Sequence, residues 1–60
     1  MGTTSAKEKA IMNAEHAARH EKMKLYPEAA EYWKLAFEFA PESKNVQWWQ
    51  IRHKYCLNRR

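Results

Sequence analysis

The stretch YPEAAEYWKLAFEFAP at residues 26–41 has the pattern of one amphipathic helix between two prolines. The residue before a proline avoids the α region and proline suits the first helical position, so Pro27 predicts a helix start. Pro41 predicts its end after Ala40. One face of this helix is formed by Ala29, Ala30, Trp33, Ala36, Phe37 and Ala40. Tyr32, Leu35 and Phe39 lie partly outside this face. The helix therefore carries more apolar surface than one partner helix can cover.

A helix is predicted on each side of this stretch. Ser5 and Glu8 have capping-box spacing, which predicts a first helix from there to about Leu25. Its apolar stripe is mostly alanine and comprises Ala10, Ile11, Ala14, Ala17 and Ala18. Because alanine permits close approach, we expect a neighbouring helix to pack tightly on it. Asn45 suits the N-cap of a third helix that runs to about Asn58.

The third helix contains two of the three tryptophans of the chain, the adjacent pair Trp48 and Trp49. Neighbouring residues on a helix point about 100° apart, so both rings do not fit against the same two helices. Trp48 shares one side of the helix with Ile51, Arg52 and Tyr55. We therefore expect Trp48 in the core and Trp49 available to a partner.

The composition predicts a single all-α domain. The chain has 60 residues, with one glycine, one valine and two isoleucines, so strand-forming residues are scarce. We expect residues 1–4 to be a disordered tail and residues 5–60 to form the domain. A core this small is marginal, which favours pairing of two chains as a homodimer. Cys56 is the only cysteine and no apolar run is long enough to span a bilayer, so we expect a cytoplasmic protein without membrane contact.

The net charge of +4 is concentrated at the end of the chain. Residues 1–42 sum to −1, whereas residues 43–60 carry five basic side chains and no acidic one. Such a basic end suits nucleic acid, an acidic protein surface, or solvent at a helix C-terminus. Gln47, Gln50, Arg52 and Asn58 are residue types that read bases, so DNA binding is the second hypothesis.

No residue pattern predicts catalysis, and we expect neither an enzyme nor a bound cofactor. His16 and His20 share a face of the first helix, and His53 and Cys56 share a face of the third. Four such ligands would suit zinc if the helices met there, but spacing alone is weak evidence and we predict no metal site. Cys56 is better interpreted as a small, partly buried apolar residue than as a nucleophile.

The second helix resembles the second half of a tetratricopeptide unit. The matching residues are Tyr26, Ala29, Trp33, Ala36 and Pro41. The resemblance implies that the first two helices form an antiparallel hairpin in which the aromatic ring fills the gap between them. Only one unit fits the chain, so the fold expected is a three-helix module with the third helix packed across this hairpin.

Taken as a whole, the chain resembles the ANR family, small bacterial negative regulators of AraC-type transcription activators. The matching residues are Ala14, Ala18, Glu21, Tyr26, Ala29, Ala30, Trp33, Ala36, Ala40, Asn45, Trp48, Arg52 and Cys56. It is also similar to the PerC-like regulators, which share the Ala-Ala-x2-Trp core and the Arg-x3-Cys ending. The resemblance implies direct binding to an AraC-type activator, which blocks its dimerisation or DNA binding and lowers expression of virulence genes.

These patterns predict two sets of residues, one for the core and one for partner binding. Structural core positions are Ala14, Ala18, Tyr26, Ala29, Trp33, Ala36, Ala40 and Trp48. Partner-binding positions are Trp49, Arg52, Tyr32, Phe39 and Tyr55, because tryptophan, tyrosine and arginine are enriched in binding hot spots. The alternatives are a small basic DNA-binding regulator of the PerC-like kind and a structural assembly subunit.

Overall fold

A computed structural model of the protein describes residues 5–59 and contains three helices there. They are α1 (Ala6–Lys22), α2 (Tyr26–Phe39) and α3 (Val46–Arg59). No strand occurs among these residues, so the all-α prediction is confirmed. The disordered tail predicted for residues 1–4 lies outside the described residues, as does Arg60.

The capping box predicted at the start of α1 is present. The Ser5 hydroxyl accepts a hydrogen bond from the Glu8 backbone N–H at 3.1 Å, and the Glu8 carboxylate accepts one from the Ser5 N–H at 3.0 Å. Two N–H groups that lack a helical partner are thereby satisfied, which fixes where the helix begins.

Helix α1 ends at Lys22, earlier than the predicted end near Leu25. Lys24 adopts a left-handed backbone with φ of 62°. Its N–H donates to the Glu21 carbonyl at 2.9 Å, and the Leu25 N–H donates to the His20 carbonyl at 2.8 Å. This pair of bonds is the Schellman ending, in which glycine normally takes the left-handed position. The sequence prediction missed it because a lysine stands there.

Helix α2 lies in the middle and packs antiparallel to α1 on one side and to α3 on the other. Early residues of α1 meet late residues of α2, as Lys9 lies over the Phe39 ring and Glu21 bonds Trp33. On the other side, α3 packs against α2, where the His53 ring bonds the Ala30 carbonyl at 2.8 Å. The predicted three-helix module with an α1–α2 hairpin is therefore confirmed. Helix α3 contacts this hairpin chiefly through α2.

The core is built mainly from alanine. Its buried members are Ala10, Ala17, Ala29, Ala30, Trp33, Ala36, Ala40, Trp49 and Cys56. Four of the predicted core positions are among them, namely Ala29, Trp33, Ala36 and Ala40. Of the others, Ala14 and Tyr26 are only half-buried and Ala18 is exposed. The buried side of α1 is thus centred on Ala10 and Ala17, two members of the predicted stripe, while Ala14 lies at its edge and Ala18 lies outside it.

The prediction for the two tryptophans is wrong, because Trp49 is 4% exposed and Trp48 is 55% exposed. Trp49 and Cys56 are seven residues apart and face α2 together. The side of Trp48 also contains Arg52, whose charge is costly to bury. Turning α3 so that this arginine lies at the edge places Trp48 at the edge as well.

Candidate functional site

The exposed face of α3 presents three large apolar side chains in one stripe. Trp48 is 55% exposed, Ile51 is 58% exposed and Tyr55 is 37% exposed. Their spacing of three and then four residues places them on one side of the helix, in the pattern by which two helices pack together. We call Trp48, Ile51 and Tyr55 the α3 stripe. Contiguous exposed apolar side chains are typical of binding surfaces, which makes the α3 stripe the candidate site.

The charged side chains of α3 beside the stripe are all basic, whereas Glu15 and Glu21 of α1 line the groove next to Trp48. Arg52 and Arg59 lie along one edge and Lys54 lies along the other, and α3 contains no acidic residue. The exposed face of α3 is therefore an apolar line between two positively charged margins.

The two arginines are held against the aromatic rings of the stripe. The Arg52 guanidinium lies 5.4 Å from the Trp48 ring centre and 4.3 Å from that of Tyr55. The Arg59 guanidinium lies 5.1 Å from the Tyr55 ring and 5.7 Å from the Tyr26 ring. A cation over an aromatic face is attracted by the ring quadrupole. Aromatic rings and guanidinium groups consequently alternate as a ladder along this edge of α3.

Glu21 on α1 joins all three helices through its carboxylate. It forms an ion pair with Arg52 of α3, whose Nε also donates to Oε1 at 3.3 Å. The same oxygen accepts from Trp33 Nε1 of α2 at 3.1 Å and from Cys56 Sγ at 3.5 Å. Hydrogen bonds to an ionised acceptor are stronger than neutral ones. This carboxylate therefore sets the position of α3 relative to the hairpin.

A shallow groove runs beside the α3 stripe, between α1 and α3. It consists of two adjoining depressions of about 290 Å³ and about 240 Å³ that share Ala18, Trp33 and Trp48. Ile11 and Ala14 of α1 extend its wall. Ala14 and Ala18, which were predicted for the core, thus line a groove next to Trp48. Their small size leaves room there for another side chain.

The residues predicted to bind a partner fall into separate places. Arg52 and Tyr55 lie together on α3. Tyr32 is half-buried between His16 and His20, with ring centres 5.3 Å and 4.9 Å away, on the α1–α2 seam. Phe39 is exposed near Lys9 at the far end of α2. Trp49 is in the core, so its predicted exposure is wrong.

Two members of the stripe, Trp48 and Ile51, were not in the predicted binding set. The signal that identifies them is the side of α3 that Trp48, Ile51 and Tyr55 share. It is visible in the sequence, but Trp48 was predicted to lie in the core and Ile51 was given no role.

The histidines and the cysteine are not gathered into one cluster. His20 bonds the His16 carbonyl at 2.7 Å, His53 bonds the Ala30 carbonyl, and Cys56 bonds Glu21. Within residues 5–59, no three side chains of the metal-binding types come together. The four-ligand arrangement weighed from the sequence is therefore not assembled.

Cys56 offers a chemical reporter of folding. Its side chain is fully buried, and this burial raises the pKa of the thiol, although the nearby Arg52 charge lowers it in part. Only the thiolate reacts with disulfide reagents, so we expect labelling to require opening of the fold. Dithionitrobenzoate should react about 100-fold more slowly with the native chain than with the chain in guanidinium, given a stability of about 3 kcal/mol. Equal rates would contradict the burial of Cys56.

None of the helices within the described part of the chain combines the length and apolarity that a membrane crossing requires. No protein family, curated protein or solved structure matches the chain.

Proposed function

We propose that this protein is a small bacterial regulator that acts by binding and not by catalysis. Its partner is an AraC-type transcription activator in the cytoplasm, and the complex prevents that activator from dimerising or from binding DNA. Virulence genes under the activator's control would then be expressed less. The resemblance to ANR regulators supplies the identity of the partner. The α3 stripe supplies the physical support, because it is an ordered apolar surface of the kind that binds protein.

The observation that carries this proposal is the exposure of Trp48 and Ile51. Both are more than half exposed in a protein whose core is mostly alanine. An apolar side chain gains about 25 cal/mol for each Å² that a partner removes from water. Several of the residues that carry the resemblance lie close to Trp48, since Ala14, Ala18, Glu21 and Arg52 line the adjoining groove.

The direct test is inhibition of an activator on its own promoter. AraC-type activators recovered by tagged pull-down from a nuclease-treated bacterial lysate would be purified and mixed with promoter DNA. We expect the wild-type protein to abolish the activator's gel shift. Ile51→Asp should remove that inhibition, because it places a charge in the centre of the α3 stripe.

Met12→Asp is the matched control for that variant. Met12 is 51% exposed on α1, so the substitution also adds a charge at an exposed apolar position. It should inhibit like wild type. If the wild-type protein leaves the gel shift of every recovered activator unchanged, the proposed function is wrong.

A second candidate function is a DNA-binding regulator of the PerC-like kind. Gln47, Gln50 and Lys54 line a shallow depression on the exposed face of α3, and they are residue types that contact bases and phosphates. However, Arg52 is paired with Glu21 and Arg59 lies against tyrosine rings, which leaves Lys54 as the cation on α3 without a contact of this kind. Direct DNA binding would weaken steeply with added salt, whereas an apolar protein contact would not.

A further inference from the structure

We infer that the α3 stripe docks an acidic amphipathic helix of a partner protein, with the two helices packed along the Trp48–Ile51–Tyr55 line. The inference rests on the proposed function in that it names the chemistry of the partner surface. It differs from that function in its test, because it makes a statement about a defined helix and needs no activator.

The spacing of the stripe selects a helix as the occupant. Trp48, Ile51 and Tyr55 repeat at three and four residues, which are the intervals of the seam in a two-helix packing. The groove beside Trp48 adds a floor of Ala18 and Trp33, into which a side chain of the incoming helix fits. A helix laid along this line uses the stripe over its full length.

The charges beside the stripe select an acidic occupant. Arg52 and Arg59 on one margin and Lys54 on the other occupy the flanking positions that pair with charges on an opposing helix. Glutamate or aspartate at those positions of the partner meets Lys54 on one side. On the other side it meets Arg59 and Arg52, although Glu21 already offsets part of the Arg52 charge. A basic partner helix meets like charges on both sides, which opposes binding.

The same charges disfavour a second copy of this chain on the stripe. Two α3 helices packed face to face would bring arginines and lysines of one copy against those of the other, in either direction of packing. The seam of a homodimer therefore does not fit this face.

The apolar residues at the centre of the α3 stripe also distinguish this surface from one that binds nucleic acid. Trp48 and Ile51 occupy the centre of the face, where a helix in a DNA groove carries polar base-reading side chains. Arg52 is already bound to Glu21, so its charge is partly neutralised.

The test uses two synthetic helices of about three heptads, acetylated and amidated, with isoleucine and leucine at the seam. One has glutamate at both flanking positions and the other has lysine. Fluorescence anisotropy of labelled peptide would measure binding to the full-length protein. We expect the acidic helix to bind at least about tenfold more tightly than the basic one, a difference of about 1.4 kcal/mol.

Two variant pairs locate the binding site. Lys54→Glu should weaken the acidic helix about tenfold, while Lys34→Glu, which makes the same change on the exposed side of α2, should not. Trp48→Ala should weaken it more than tenfold, while Met12→Ala should not. Far-UV circular dichroism would establish that all four variants are folded.

Several results would overturn the inference. These are equal binding of both peptides, no binding of either, or equal effects of the two glutamate substitutions. Displacement of the acidic helix by equimolar duplex DNA would assign the face to nucleic acid instead. Dimerisation in sedimentation that Trp48→Ala abolishes would assign it to a second copy.

The outcome for the proposed function is separate. If an AraC-type activator binds wild type and Lys54→Glu equally well, the function stands and the inference fails. If the acidic helix binds as expected and the activators do not, the inference stands and the function fails.

Discussion

Trp49→Ala is expected to unfold the protein, whereas Trp48→Ala is expected to leave its helical circular dichroism unchanged. Trp49 is 4% exposed among the alanines of α2, and removing a buried tryptophan costs about 3–5 kcal/mol. A core of this size supplies a net stability of about 3–5 kcal/mol, so that loss is sufficient to unfold it. Trp48 is mostly in solvent and its removal leaves no cavity.

Each tryptophan variant is the control for the other, because the two positions are adjacent and the substitution is the same. Thermal and urea unfolding followed by circular dichroism measures both. If Trp49→Ala folds and Trp48→Ala does not, α3 is rotated by about 100° from the described orientation, as the sequence prediction had it.

Glu21→Ala is expected to lower the free energy of unfolding by about 2–3 kcal/mol. It leaves the half-buried Arg52 without its ion pair and Trp33 Nε1 without its acceptor. Removing one partner of a fully buried pair costs about 3–5 kcal/mol. The expected loss is smaller here because Arg52 and Glu21 retain side-chain exposures of 23% and 17%.

Glu15→Ala provides the matched control, because Glu15 is an exposed glutamate on the same helix. Its effect should be within about 0.5 kcal/mol. In a double-mutant cycle, Glu21→Ala and Arg52→Ala together should cost less than the sum of the single changes, because the first removes the partner of the second. Equal effects of the Glu21 and Glu15 substitutions would show that the carboxylate does not hold the helices together.

Local signals in the sequence were sufficient to place the helices. Pro27 and the Ser5–Glu8 pair each specify a boundary within one or two residues of themselves. The end of α1 was missed because Lys24 occupies the left-handed position that glycine usually marks. A local rule fails where an unusual residue takes the usual backbone conformation.

The rotation of α3 depended on contacts that are distant in sequence. Glu21 and Arg52 are 31 residues apart, and their pairing decides that Trp48 lies at the edge and Trp49 lies inside. The side that Trp48 shares with Ile51 and Tyr55 favoured the opposite choice. The candidate site was predicted in part for the same reason, since Arg52 and Tyr55 were identified, while Trp48 was assigned to the core and Ile51 to neither set.

The ladder of rings and guanidinium groups along α3 has a consequence for binding entropy. A side chain that becomes fixed on association costs about 0.5–1.5 kcal/mol of affinity. Arg52 is paired with Glu21 and lies against the Trp48 and Tyr55 rings in the free protein, so part of that cost is met for Arg52 during folding. For the helix proposed to dock on the α3 stripe, part of the ordering cost would therefore be met before that helix arrives.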